Sequence, residues 1–396
     1  MLSALSTLGV GAFSCEAALA QDLHRGAVDA PAPLFALAAG VACGARLSVT
    51  RVVVKAPAIH ALGLALLVAM AVFVSAVPLS RALPVGAAAF ALLPAFVAGA
   101  AYPFVARGLG RSSLRARGSG RLFGALLAGG AVGVLAGEWT LVSTLGPMRT
   151  ALAAAVLPGL VGVLALALGG RRETNAPLST PRLRQGAPRW GVALGYGLAV
   201  GVALALVCRL SAGATASTFG VSAAALLGGF AWGTERGKHL HHQYRDGALS
   251  RALAATALTW AIGSPAAPRL GRFVSTCDSF LPTAPERALV RGLAAAAIIL
   301  LPTVWLGAGY TPMIRRFVRE PEAEAVAFAT LLSCAGGALG AALCATLLVP
   351  RFGVTGTVVA LVVSLSALAL AFAPEPQRRP IALTGAVSSV VALLFR

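Results

Sequence analysis

A chain of 396 residues that is 58% hydrophobic and only 11% charged is no ordinary water-soluble globule, in which about 25% of residues carry charge. Mean hydropathy is +0.84, and apolar stretches of about 18–25 residues, long enough for a helix to cross a bilayer, recur from end to end. The net charge of +19 would suggest nucleic acid in a soluble protein. Here the arginines fall in short loops between apolar segments, with no aromatic-studded basic groove, so nucleic-acid binding is set aside.

In chain order, the first predicted spans cover residues 2–20, 30–46, 57–79, 84–106, 122–143 and 149–169. Residues 18–20, Ala-Leu-Ala, resemble a signal-peptidase site. No basic residue precedes the apolar run and Glu16 sits inside it, so an uncleaved first span is expected. Residues 170–189, rich in Pro and Arg, read as a cytoplasmic linker. Further spans follow over 190–211, 214–233, 249–264, 288–313, 325–349 and 353–373.

The expected fold class is therefore all-α, a polytopic membrane protein of about 12 transmembrane helices in two parallel six-helix repeats. The first repeat covers 1–169 and the second 190–374. Residues 375–396 form an apolar tail in the cytoplasm or the interface, or begin a thirteenth helix. Loops after even-numbered spans hold 22 of the 32 Lys and Arg residues and loops after odd-numbered spans hold 9. Excess positive charge marks cytoplasmic loops, which places both termini and the linker inside, in a bacterial inner membrane. The basic face also suits anionic lipids as partners.

The halves repeat one another. Pro94, Gly99, Tyr102 and Pro103 correspond to Pro302, Gly307, Tyr310 and Pro312. Gly129-Gly130-Ala131-Val132-Gly133 recurs 207 residues later as Gly336-Gly337-Ala338-Leu339-Gly340, and the same offset carries Gly146 onto Gly353 and Thr150 onto Thr357. Earlier, Gly40 and Gly44 fall on Gly229 and Gly233. Parallel duplication within a membrane is an architecture of many transporters.

Gly129, Gly133 and Gly137 form a stripe of small residues, echoed by Gly336, Gly340 and Cys344. Such stripes let helix backbones approach closely in lipid, as static packing or as a sliding interface. Pro94 and Pro302 invite kinks, which serve as hinges or are inherited shape. Ionisable groups inside spans are few: Glu16, Glu138 and Arg209. The two carboxylates can bind a cation or pass a proton, or Arg209 can pair with one as a structural bridge. His60 reads as interfacial.

Residues 229–238, Gly-Phe-Ala-Trp-Gly-Thr-Glu-Arg-Gly-Lys, read as a loop, with His239, His241 and His242 continuing it. Three histidines without a fourth ligand read as solvated loop, and no metal or cofactor is expected. Five of the six cysteines lie in apolar segments and Cys277 in a loop, so a loop-to-loop disulfide is not expected.

The residues 229–238 loosely resemble the basic loop between the second and third helices of major facilitator transporters, through Glu235-Arg236 and Gly237-Lys238. A larger likeness runs through Leu93-Pro94, Gly99-Ala100-x-Tyr102-Pro103, Arg121-Leu122-Phe123, Gly130-Ala131-Val132-Gly133 and Gly146-x-x-x-Thr150, with their second-half counterparts. These resemble the multispan membrane domain found fused to spermidine synthase in many bacteria. Glu16 matches the glutamate of that family's first span, and Arg209 the arginine that usually follows it, but in the other half. No aminopropyltransferase domain follows the last span here, and no glycine-rich nucleotide loop lies outside the spans, so transferase activity is not implied. The resemblance implies a transporter-like protein for a small cationic solute such as a polyamine. The alternative is a non-transporting scaffold for a separately encoded synthase. No nucleophile–base pair or metal set points to an enzyme.

Overall fold

The computed structural model describes residues 5–14 except 13, 58–79, 115–169, 187–211, 216–263, 283–317 and 323–394, with isolated positions in 96–105 and 265–281. Among these the chain is helical, without a strand. The elements are α1 (residues 5–12), α2 (Ala58–Leu79), α3 (Arg115–Leu135), α4 (Pro147–Gly169), α5 (Ala187–Ser211), α6 (Ala216–Tyr244), α7 (Ala248–Gly263), α8 (Ala284–Phe317), α9 (Ala323–Leu343), α10 (Val349–Ala371) and α11 (Glu375–Leu394). The predicted spans 57–79, 149–169, 190–211, 214–233, 249–264, 288–313 and 353–373 each overlap one of these helices, and 122–143 and 325–349 run through α3 and α9 into the wider turns that follow them. The predicted spans 30–46 and most of 84–106 lie outside the described residues.

Among the described residues four helical stretches are long and apolar enough to cross a membrane: Gly120–Leu145, Met148–Ala167, Leu289–Arg315 and Ala335–Ala371. The last would be about 55 Å long as one rod, far more than the ~30 Å of hydrocarbon. Gly353, near the start of α10, interrupts it with φ 68° and ψ 179°, a kink in the rod. Large apolar side chains point away from the protein in rows one turn apart, such as Leu64, Val68 and Val72 on α2 and Val156, Leu160, Val163 and Leu164 on α4. Water-soluble proteins do not expose rows of this kind, and acyl chains accept them without cost. The protein is an all-α membrane protein.

Two compact units form: Met1–Ala193 with Phe317–Ala335, and Leu194–Arg316 with Gly336–Arg396. In the first, α1 lies directly on α3. A Cβ at Gly9 would strike the backbone of Leu126 and Gly130, one at Gly129 the backbone of Ser6, and one at Gly133 the backbone of Val10. In the second, a Cβ at Gly336 would strike Leu194, at Gly340 Leu198, and at Gly201 Gly337. The same glycines, 207 residues apart, therefore bring α3 onto α1 and α9 onto α5. Likewise α2 packs on α4 where Gly63 meets Gly162, and α7 packs on α10. The buried face of α4, Ala151, Ala154 and Ala155, matches Val358, Leu361 and Val362 of α10, and exposed Val132 matches exposed Leu339.

Both units also share a break in the helical ladder. Residues Ala136–Leu141 after α3 and Cys344–Leu348 after α9 are π-helical, and the N–H groups of Val142 and Val349 reach back five residues to the carbonyls of Gly137 and Cys344. Gly146 (φ 77°, ψ 163°) and Gly353 then turn the chain, in a region of backbone space that glycine alone occupies readily. A Cβ would meet no atom at either position, so only backbone strain opposes a side chain there. Gly146→Ala and Gly353→Ala are each expected to destabilise by about 1–3 kcal/mol, read as a lower melting temperature of the detergent-solubilised protein. Unchanged melting would mean that the turn relaxes freely.

One expectation changes. Residues 229–238 are not a loop: they lie within α6, which continues to Tyr244. The helix outlasts its apolar stretch because polar residues past the bilayer keep helical pairing, as in the Lys238–Glu235 ion pair (2.5 Å) one turn apart. The three histidines stand on the last turns of the same helix. Of the alternatives left open for residues 375–396, a helix is what forms: α11, packed against α10 and α7.

Candidate functional site

Within the first unit the break after α3 gathers the polar side chains. The π turn carries Glu138, 7% exposed, with Trp139 and Thr140 beside it. A wide turn displaces carbonyls from their usual donors. Hydroxyls re-bond several of them: Thr140 Oγ1 donates to the Ala136 carbonyl at 2.6 Å, Ser143 Oγ to that of Trp139 at 3.0 Å, and Thr144 Oγ1 to that of Thr140 at 2.7 Å. From α1, Ser14 Oγ donates to the Gly133 carbonyl at 2.8 Å, tying the first helix to the turn below the bulge. The Trp139 indole nitrogen is buried and makes no hydrogen bond, as is the Thr150 hydroxyl.

A carboxylate buried within an apolar helical stretch is costly, and π-bulges recur at functional positions. The second unit keeps the bulge without the acid. Cys344, fully buried, stands where Gly137 does, Ala345 where Glu138 does, and Thr346 donates to the Ala342 carbonyl at 2.8 Å.

Of the other residues singled out by sequence, Glu16, Pro94 and Pro103 lie outside the described residues, as does the side chain of Arg209. Gly99 and Gly137 are buried. Tyr102 is fully buried, edge-on to Phe123 with ring centroids 5.3 Å apart, and Tyr310 meets Phe230 the same way at 6.1 Å. Pro302 and Pro312 sit inside the unbroken α8. A Cβ at Gly307 would strike Phe230, and those at Gly229, Gly233 and Gly237 would strike Thr303, Val304 and Ala308. The four-residue spacing of these three glycines is the signal that 229–238 is helical and faces α8. Tyr196 also escaped notice. Fully buried on α5, it donates to the Leu306 carbonyl of α8 at 2.5 Å, as a tyrosine in an apolar span must find an acceptor.

At the end of α6, His241 Nδ1 is buried without a hydrogen bond. Burial foremost, then the Arg315 charge with help from His242 and Arg245, holds its imidazole below the ordinary histidine value, against an opposing pull from Asp246. The fold thus favours neutral His241. The unfolded chain takes up the proton near pH ~6.5 and the folded chain resists it, so this stability is present above that pH and lost as pH falls below it. Melting temperature is expected to drop from pH 7.5 to 5.5, and the drop to shrink in His241→Gln; identical profiles would contradict this. Among the described residues no cluster of three or more His, Cys, Asp or Glu side chains can hold a metal.

No protein-family model matches this chain, and no curated protein proves similar to it.

Proposed function

We propose that this chain is a secondary transporter of the bacterial inner membrane for a small cationic solute such as a polyamine. In this reading about twelve spans form two parallel, major-facilitator-like repeats, with the N-terminal end and the 170–189 linker in the cytoplasm. The observation that carries it is the buried Glu138 on a π-bulge whose framework, but not whose acid, recurs in the second unit. A duplicated frame with one carboxylate suits a single cation or proton site, because an acid inside an apolar span is costly and is found chiefly where ions or protons are handled. Glu16, in the first predicted span, is the second candidate carboxylate, and Arg209 the candidate counter-charge. Uptake of radiolabelled polyamine into proteoliposomes tests the reading, with Glu138→Gln as the critical variant. The second reading, a non-transporting membrane partner of a soluble synthase, rests on the likeness to the membrane domain of fused spermidine synthases. It takes over if reconstituted protein moves no cation and a pull-down recovers such an enzyme.

A further inference from the structure

The helix α11 lies where the sequence suggested a tail, and its surroundings say where it runs. It follows α10 after a turn of three residues, 372–374, and packs back along it: a Cβ at Gly385 would meet Ser366. Its first turn touches the first turn of α7, where Arg251 Nε donates to Gln377 Oε1 at 3.3 Å and Gly247 is packed against the same amide. It follows that α11 starts at the end of the bundle where α7 starts and α10 finishes, and runs beside α7 in the same direction.

The composition of α11 separates a crossing from an interfacial helix. Glu375, Arg378 and Arg379 are confined to its start, and no charge follows until Arg396. Those 16 intervening residues would span about 24 Å as helix, close to the hydrocarbon thickness once arginine side chains reach outward. An interfacial helix carries a charged face opposite its apolar one. Here one face, Ile381, Gly385, Ser388 and Ala392, is buried. The opposite face is Leu383, Val387, Val390 and Leu394, between 49% and 76% exposed. The hydroxyls leave nothing for water to satisfy: Thr384, Ser388 and Ser389 donate to the carbonyls of Pro380, Thr384 and Gly385 at 2.9, 2.7 and 2.8 Å. This is the arrangement a helix needs in lipid.

We propose that α11 crosses the bilayer as a further span beside α7 and α10, with acyl chains covering the Leu383–Val387–Val390–Leu394 stripe, so that residues 374 and 396 lie on opposite faces of the membrane. The inference is independent of any transport activity. Alkaline phosphatase, active only outside the cytoplasm, and green fluorescent protein, fluorescent only inside it, are fused in turn after Pro374 and after Arg396 of the full chain. Opposite responses at the two sites are expected. A Val387→Lys change, placing a charge at mid-bilayer on the exposed face, should lower the crossing signal about tenfold or more. A small epitope tag after Arg396, probed by protease in right-side-out and inverted vesicles, covers the case in which a bulky fusion prevents folding. The same response at both fusion sites, or a tag cleaved from the same side as the linker 170–189, overturns the proposal.

Discussion

Replacing Gly133 with leucine is expected to drive α1 away from α3 and to destabilise the protein by about 3 kcal/mol. The side chain has no free volume to enter. Its first carbon would already overlap the Val10 backbone, and backbone cannot rotate aside as a flexible side chain can. Nor does lipid supply a compensating attraction between helices, since acyl chains are as apolar as leucine. The Ser14–Gly133 hydrogen bond is lost in the same movement. Gly340→Leu should behave alike, because its Cβ would overlap Leu198 on α5. Gly159→Ala is the contrast. No atom lies near the Cβ it would add, so the gain in helix propensity, up to about 1 kcal/mol, should leave melting unchanged or raised. Thermal unfolding of the three variants in detergent decides. Equal melting for Gly133→Leu and Gly159→Ala would show that the close approach of α1 and α3 contributes nothing to stability.

Glu138→Gln is expected to reduce polyamine uptake about tenfold or more while melting moves little. Glutamine keeps the length and planar head of glutamate, so packing in the bulge survives. It removes the negative charge and the exchangeable proton, the two properties a cation site uses. Ala345→Glu, which installs an acid at the matching place in the second unit, tests whether position or charge matters. It should not restore uptake to the Glu138→Gln protein if the site is built around the first bulge alone. Full uptake by Glu138→Gln would remove the proposed site, and an equal fall in melting would recast the glutamate as a folding residue.

Each bulge is followed five residues later by a glycine with positive φ, so the frame around Glu138 comprises a wide turn, a short helix and a fixed corner at Gly146. The wide turn weakens the local hydrogen-bond ladder and the corner sets where the next span begins. Gly353 sets the same corner for α10. Helix-breaking backbone persists at membrane depth only where protein or its own hydroxyls satisfy the freed carbonyls. Thr140, Ser143 and Thr144 do so in the first unit, and Thr346 and Thr357 in the second.

Helix position was legible in the residue order, because each helix in lipid must satisfy its own backbone and be apolar for most of its length, both local properties. The glycine register was legible too, since Gly129 and Gly133 on one side and Gly336 and Gly340 on the other keep one spacing, and small residues are required wherever backbones touch. Three things waited for the tertiary structure. The bulge at Glu138 is a shift of hydrogen bonds from four to five residues, which leaves no mark in hydropathy. The helical path of 229–238 was hidden because polar residues past the bilayer imitate a loop, and only contact with α8 explains their glycines. The course of α11 was hidden because the arginines at its start lower its apolar average, and only its neighbours α7 and α10 show which way it points. Local chemistry determines where this chain coils; contacts between distant segments decide what those coils face.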